Sequence, residues 1–196
     1  MKQAIGFCLA AILAMRVCAA EPTSWKLDKA HSQVRFSVSH LVITEVTGRF
    51  TDFDVTLTQP DDDFTKSQIQ AIVKTASINT DVEQRDRHLR TDDFFNAEKF
   101  PTMTFKSTSI EKTGEGKYKI TGDLTIRDVT RSVELDTKFN GTIVDPRGNT
   151  REGFKATTTI NRFDFGVKWD MATETGGLVA GKEVEITLLM EFVKGK

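Results

Sequence analysis

Apolar and polar residues alternate with a period of two from Trp25 onward, and this pattern constrains the fold more than any other feature. A period of two places every second side chain on one face, which is the geometry of a half-buried β-strand and not of a helix. Gly, Pro, Asn and Asp separate the runs, as expected where turns join strands. Eight runs carry the alternation, at Val34, Phe36 and Val38; Val46, Phe50, Phe53, Val55 and Leu57; Ile69, Ala71 and Val73; Met103 and Phe105; Tyr118, Ile120, Leu124 and Ile126; Val133, Leu135 and Phe139; Phe154, Ala156, Thr158 and Ile160; and Val184, Ile186, Leu188, Met190 and Phe192.

Two segments depart from the regular alternation. Phe50 and Phe53 differ in parity, so either a bulge lies between them or one of them points outward. Residues 80–96 are charged and rich in helix formers, and they predict one or two short helices, the first capped by Thr80 or Asp81 and the second by Thr91. The sequence therefore predicts an all-β fold, either an eight-stranded antiparallel barrel or a two-sheet sandwich, with a short helical insertion.

Residues 1–20 have the pattern of a secretory signal peptide. Lys2 precedes a short apolar run, and small residues lead to a cleavage site after Ala20. The run has about a dozen apolar residues, whereas a bilayer needs about 20. A lipoprotein anchor at Cys18 is the rival interpretation, and Arg16 disfavours it because small neutral residues usually precede such a cysteine. We expect export and one mature domain at residues 21–196.

Removing that segment changes the chemistry that is open to the chain. Cys8 and Cys18 both lie inside it, so a mature protein contains no thiol for a disulfide, a nucleophile or a zinc site. Loss of Lys2 and Arg16 reduces the basic residues from 27 to 25 against 28 acidic ones, a net charge of about −3. A negative net charge argues against a nucleic-acid partner.

Phenylalanine dominates the aromatic residues, with 14 Phe against one Tyr and two Trp. Phe supplies a large apolar area without a hydrogen-bonding group, so a wall built from it suits a hydrocarbon better than a sugar or a nucleotide. Eight strands enclose an interior that either just fills with side chains or holds one small ligand. Phe at alternating strand positions is ordinarily core, so composition alone favours the filled interior.

The mature chain resembles the YceI-like family of periplasmic, polyisoprenoid-binding proteins over essentially its whole length. Glycine is usual in the family where Asp128 stands, and we expect only a local change in the turn. The residues that carry the resemblance are Trp25-Lys-Leu-Asp-Lys-Ala-His-Ser32, Val34-Arg-Phe36, His40, Thr47-Gly-Arg-Phe50, Arg85-Asp-Arg-His-Leu89, Asp93-Phe-Phe95, Phe100-Pro101, Phe105, Gly122-Asp-Leu-Thr-Ile-Arg-Asp-Val-Thr-Arg131, Ile160-Asn-Arg162 and Phe165-Gly166.

The resemblance implies a lipocalin-like barrel that holds a lipid chain in its pore, and it moves the expectation from a filled core to a cavity. It implies a periplasmic location, no enzymatic activity and no cofactor other than a bound isoprenoid or similar lipid. Transient membrane contact and a homodimer are further expectations about partners. The residues expected to line the pore are Val34, Phe36, Val38, Phe50, Phe94, Phe95, Met103, Phe105, Ile126, Phe154, Phe163, Phe165, Trp169 and Leu188.

Three basic residues are candidates for contact with a polar head group: Arg85, His88 and Arg162. An arginine at a barrel mouth suits a phosphate, because its planar guanidinium binds phosphate oxygens in pairs. The simpler interpretation of residues 85–90 is an ion-paired helix fastened to the barrel, with Asp86 bonded to Arg90 one turn later.

No metal site and no catalytic residue is expected. His31 and His40 have opposite parity along one strand region, and His88 lies in the insertion, so the three histidines are not expected to converge. Two alternatives to a lipid carrier stay open. An enzyme acting on an apolar substrate would need two or more ionisable groups inside the barrel, and a purely structural or partner-binding protein would have a solid core.

Overall fold

The computed structural model describes residues 22–172 and 176–195, and these residues form eleven β-strands, one α-helix and three short 3-10 helices. The strands are β1 (Thr23–Leu27), β2 (Gln33–His40), β3 (Thr44–Phe50), β4 (Phe53–Gln59), β5 (Gln68–Lys74), β6 (Ile78–Asn79), β7 (Thr102–Gly114), β8 (Lys117–Ile126), β9 (Val129–Val144), β10 (Thr150–Asn161) and β11 (Ala180–Lys194). The helix α1 is Glu83–Leu89, and the 3-10 helices are Phe64–Lys66, Thr75–Ser77 and Arg162–Phe165.

The strands close into an antiparallel barrel with eight strand positions. β11 pairs with β1 near its end, where Leu27 lies opposite Phe192, and with β2 nearer its start, where Val34 lies opposite Leu188. β1 and β2 therefore occupy one strand position of the barrel, one after the other. In the same way, β3 and β4 occupy the next position, and β5 and β6 occupy the position after that. β7 to β10 complete the ring back to β11. The predicted eight-stranded barrel is confirmed.

A break between strands resolves the opposite parity of Phe50 and Phe53. Phe50 ends β3, residues 51 and 52 form a bend, and Phe53 begins β4. The two side chains are both buried, at 7% and 6% exposure, because the bend resets the alternation. Neither of them points outward, and the chain turns a corner of the barrel between them.

One helix forms in the insertion, but the capping predicted from the sequence is wrong. α1 begins after Val82, whose side chain makes no capping bond, and Thr91 begins a series of turns in place of a second helix. The buried Asp86 supplies the missing connection, since its Oδ1 accepts hydrogen bonds from the backbone N and the Oγ1 of Thr80 at 2.9 and 2.6 Å. A buried carboxylate needs such donors, and these lie on the segment that precedes the helix.

The predicted ion pair between Asp86 and Arg90 is also wrong. Arg90 donates instead to the backbone carbonyls of Ala76 and Ile78, at 2.9 and 3.0 Å. Ala76 lies in the 3-10 helix between β5 and β6, and Ile78 begins β6, so the strand ladder is interrupted here and leaves acceptors unpaired. Asp86 and Arg90 thus fasten α1 to the chain before it by separate bonds.

The predicted signal peptide lies outside the described residues. Among residues 22–172 and 176–195, α1 is the one α-helix, and no helix there has the length and apolar character that a membrane crossing needs.

Candidate functional site

A central cavity of about 190 Å³ lies inside the barrel and is lined from all eight strand positions. Its wall is almost entirely apolar, with Leu57, Ile120 and Phe192 as its most buried apolar residues. For scale, an apolar cavity of about 150 Å³ stays dry and accepts benzene. The interior is therefore not packed solid, and the filled core favoured by composition alone is wrong.

A second cavity, of about 230 Å³, lies under the helical insertion and forms the mouth of the barrel. α1 contributes Arg85, His88 and Leu89 to its wall, and the turns after α1 contribute Phe94 and Phe95. We call this space the mouth chamber. It shares Phe36 and Val184 with the central cavity, so the two spaces adjoin.

A third cavity, of about 360 Å³, lies at the other end and has a mixed polar and apolar wall. We call it the end chamber. It shares Phe64 and Phe154 with the central cavity. Glu152 lies at this end of β10 and Ile160 at the mouth end, and eight residues of strand span about 26 Å. Hence the three cavities form an elongated series along the barrel.

Aromatic rings separate the cavities. At the mouth side the ring of Phe50 lies 5.8 Å, centroid to centroid, from both Phe36 and Phe95. At the other side Phe64 stacks on Phe154 with centroids 5.0 Å apart and meets Tyr118 edge-on at 4.9 Å. A chain longer than the central cavity must move these rings apart to extend into either chamber.

Most of the residues expected in the pore line one of these spaces. Phe163 and Phe165 line none of the three, because the strand ends at Asn161 and a 3-10 helix follows, so parity no longer decides their direction. Phe165 packs into the core, and Phe163 lies under the Arg162 guanidinium. The expected residues on the central cavity are Val34, Phe36, Phe50, Met103, Phe105, Ile126, Phe154 and Leu188, and those on the mouth chamber are Phe36, Val38, Phe94, Phe95 and Trp169.

Two lining residues that the sequence analysis missed have different explanations. Phe64 enters from the 3-10 helix Phe64–Lys66, which Asp63 caps by accepting a hydrogen bond from the Thr65 backbone, and no strand pattern marks it. Glu152 has the same parity as Phe154 and Ala156, so the alternation itself indicated an inward carboxylate.

Arg85 faces the mouth chamber with part of its guanidinium free. Its Nε donates to Thr80 Oγ1 at 2.8 Å and its Nη2 to the Thr80 carbonyl at 2.9 Å. Within the described part of the chain, Nη1 has no acceptor. His88 also lines this chamber; it is 2.7 Å from the Asp93 carboxylate and lies edge-on to the Trp169 ring.

Arg162 also lines the mouth chamber, but its hydrogen bonding differs from that of Arg85. It is buried, and its guanidinium donates to four backbone carbonyls, at distances of 2.8 to 2.9 Å. Burial lowers the pKa of this arginine from its ordinary value. Four of its five N–H donors are used within the protein, so Arg162 holds the segment after the last 3-10 helix against β11. The acceptors are the carbonyls of Val167, Trp169, Ala180 and Gly181.

The three histidines have separate partners. His31 contacts Asp28, His40 contacts the Val179 carbonyl, and His88 contacts Asp93. Asp28, His31 and Glu191 lie close enough to share an ion, but Arg151 bonds both carboxylates, at 2.7 and 2.6 Å. The guanidinium of Arg151 therefore already balances the negative charge of Asp28 and Glu191.

Ionisable residues are distributed unevenly along the pore. Around the central cavity, the exposed Arg35 is the one ionisable residue among those described. Five ionisable residues line the end chamber. Burial raises the pKa of Glu152 because it disfavours the charged form, whereas the hydrogen bond from Lys66 lowers the pKa of Asp61. The other three on that wall are Asp62, Tyr118 and Lys194.

Comparison with known proteins gives a family. The model of the YceI-like domain matches residues 25–192. The chain belongs to the YceI-like family. It is 37% identical over 171 residues to the UPF0312 protein SA2479 of Staphylococcus aureus (strain N315), covering 87% of this chain and 97% of that protein.

Solved structures agree with the family fold. The YCEI protein of Campylobacter jejuni is 34% identical with a TM-score of 0.69, covering 87% of this chain and 97% of its own. Two more distant neighbours share the fold alone. Burkholderia cenocepacia BcnA is 21% identical with a TM-score of 0.73, covering 84% of this chain and 98% of its own. A polyisoprenoid binding domain from Saccharophagus degradans is 16% identical with a TM-score of 0.61, covering 87% of this chain and 98% of its own.

Proposed function

We propose that this YceI-like protein binds an elongated apolar lipid inside its barrel and carries or stores it in the periplasm without catalysing a reaction. The observation that carries the proposal is the apolar central cavity, continued at both ends by chambers that lie beyond aromatic rings. That a fold neighbour is described as a polyisoprenoid binding domain supports the same class of ligand.

Energetics favours exchange of the ligand with a membrane. Burying a hydrocarbon gains about 0.8 kcal/mol per CH₂ against water. A bilayer offers nearly the same gain, so the large terms cancel between protein and membrane. Contacts with the head group, the cost of ordering the chain and the fit of the cavity then set the direction of transfer. A carrier of this kind can load and unload without a chemical step.

Native mass spectrometry of protein purified from the periplasm tests the proposal. We expect a bound lipid that organic extraction releases and identifies. As a matched pair, Ala156→Phe fills the central cavity, whereas Lys155→Phe adds the same ring on the outer face of the same strand. We expect the first variant to be purified empty and the second loaded. Only empty wild-type protein from its native compartment would contradict the proposal.

Transient contact with a membrane is part of the proposal. Leu41, Val42 and Ile43 form an exposed apolar turn, with Ile43 85% exposed. The turn is tied to the mouth chamber, because the Leu41 backbone N donates to the carbonyl of Val179, a lining residue. Replacing Val42 and Ile43 by Asp should slow transfer of lipid to vesicles at unchanged affinity. The same substitutions at Ile143 and Val144, exposed at the far end, serve as the control.

Export is tested separately. Cell fractionation of the full chain should place it in the periplasm, and Cys18→Ala should leave that location unchanged if cleavage follows Ala20.

A further inference from the structure

Inside the barrel, one buried carboxylate oxygen accepts no hydrogen bond from any residue that the structure describes. Glu152 lies on β10 between Thr142 on β9 and Phe192 on β11. Its Oε1 accepts a hydrogen bond from Thr142 Oγ1 at 3.2 Å. Its Oε2 is fully buried and has no hydrogen-bond partner among the described residues. A buried unpaired carboxylate oxygen is costly, so its presence calls for a donor that the protein does not itself supply.

The space beside that oxygen has the shape and lining of a subsite. The end chamber measures about 360 Å³, and the rings of Trp25, Phe139 and Phe154 form one side of it. Most of the other lining residues are polar, and three of them are acidic. The wall therefore combines contact area for a carbon chain with acceptors for its terminal group.

The charge on this wall selects the kind of terminal group. Three carboxylates, from Glu152, Asp61 and Asp62, outnumber the one ammonium, from Lys194. Lys66 engages Asp61 at 2.7 Å from outside the lining. An anionic group such as a phosphate or a carboxylate would meet like charge here, whereas a hydroxyl or an ammonium can donate to Glu152.

The opposite end of the barrel has the opposite character. The basic residues on the mouth chamber are His40, Arg85, His88 and Arg162, and the described part of its wall contains no acidic residue. The barrel is thus polarised, with basic residues at the mouth and acidic residues at the far end.

We propose that the end chamber is a subsite for a neutral or cationic hydrogen-bond donor, a hydroxyl or an ammonium, at the end of a hydrocarbon chain that lies in the central cavity. The inference rests on the proposed function, since it concerns the same ligand. It adds that Glu152 Oε2 is the acceptor and that the donor-bearing end of the ligand points away from the mouth.

The test compares two probes that have the same chain and different ends, 1-dodecanol and dodecanoate. Their affinities are measured at pH 7.5 by displacement of the neutral fluorophore N-phenyl-1-naphthylamine. Wild-type protein should bind the alcohol about tenfold more tightly than the carboxylate, the size of effect expected from one hydrogen bond to a buried charged group. Glu152→Gln supplies a donor and removes the charge, so it should bind dodecanoate at least about fivefold more tightly than wild type does.

Two further variants complete the design. Glu185→Gln makes the same change of charge at an exposed residue of β11 and should leave both affinities unchanged. Glu152→Met removes both the charge and the hydrogen bonding of the side chain, so it should bring the affinities for dodecanol and dodecanoate within about twofold of each other. This variant also replaces Glu152→Gln as the test if Glu152→Gln does not fold.

Tryptophan fluorescence reports which end the terminal group occupies. The chain has two tryptophans, Trp25 on the end chamber and Trp169 on the mouth chamber, so Trp169→Phe leaves Trp25 as the single reporter. Dodecanol should change the Trp25 emission in that background, and Glu152→Met should remove the change.

The outcomes separate the two proposals. If the fluorophore and both probes fail to bind, the proposed function fails. If they bind but wild type does not distinguish alcohol from carboxylate, or if Glu152→Gln leaves their ratio unchanged, the lipid site stands and the donor subsite is overturned.

Discussion

Phe36 and Phe50 lie on neighbouring strands with ring centroids 5.8 Å apart, and Phe36 lines both the central cavity and the mouth chamber. Phe95 meets Phe50 edge-on at the same distance. The three rings form a constriction through which a hydrocarbon chain has to pass to reach the centre of the barrel from the mouth. We expect this constriction to set the rate of ligand entry and the apolar wall beyond it to set the affinity.

Removing one of these rings should speed entry more than it changes affinity. For Phe36→Ala we expect faster uptake of N-phenyl-1-naphthylamine in stopped-flow fluorescence. The free energy of unfolding should fall by about 2 kcal/mol, less than for a fully buried Phe because Phe36 is half-buried. Phe100→Ala, at a residue that lines none of the three cavities, is the control and should leave the uptake rate unchanged. Equal rates for wild type and Phe36→Ala would show that the constriction does not limit entry.

Gly48 determines where the Phe36 ring can lie. The two residues are opposite each other on paired strands, and a Cβ on Gly48 would come within 2.3 Å of Phe36 Cζ. Gly48→Ala must therefore displace the ring, with a cost of about 1–3 kcal/mol in stability and a lower affinity for apolar probes. Gly114→Ala, where the nearest atom is 3.7 Å away, should change neither urea unfolding nor probe titration. Unchanged binding in Gly48→Ala would mean that the ring finds another position outside the pore.

Arg162 should behave as a structural residue and not as a contact for a lipid head group. Arg162→Met leaves four backbone carbonyls without their donor, so we expect a loss of roughly 3 kcal/mol in the free energy of unfolding. Arg162→Lys should recover only part of this loss, because one ammonium cannot reproduce the planar set of donors. A normal unfolding curve together with weaker binding of a phosphate-headed lipid would instead favour the head-group role.

Arg151 should make stability depend on acidic pH. It bonds the carboxylates of Asp28, Asp145 and Glu191, and with His31 it lowers the pKa of Asp28 from 3.8 to about 2. A lowered carboxylate pKa gives stability that is fully present above pH 3.8 and is lost as the pH falls towards 2.

Replacing the arginine tests this linkage. Arg151→Met should lower the free energy of unfolding at pH 7, and the stability that remains should depend less on pH between 4 and 2. Arg131→Met, at an exposed residue of β9, controls for loss of the charge alone. Parallel pH profiles for wild type and Arg151→Met in urea unfolding would rule out this role.

The sequence by itself determined the all-β fold and much of the lining of the barrel. Alternation is a local property, because each peptide unit turns the next side chain to the opposite face whatever the strand pairs with. Phe36, Phe105 and Phe154 could therefore be assigned to the interior before their neighbours were known, and Glu152 carried the same signal.

Only the tertiary structure decided the partners of the polar groups and the paths of the irregular segments. Asp86 and Arg90 are one helical turn apart, yet each bonds to a group outside the helix, because burial and unpaired carbonyls there outweigh a pair of exposed charges. Arg162 bonds to Gly181, 19 residues away, and the 3-10 helix that this arrangement holds turns Phe163 and Phe165 out of the pore. Such contacts depend on distances through space, which the local alternation does not encode.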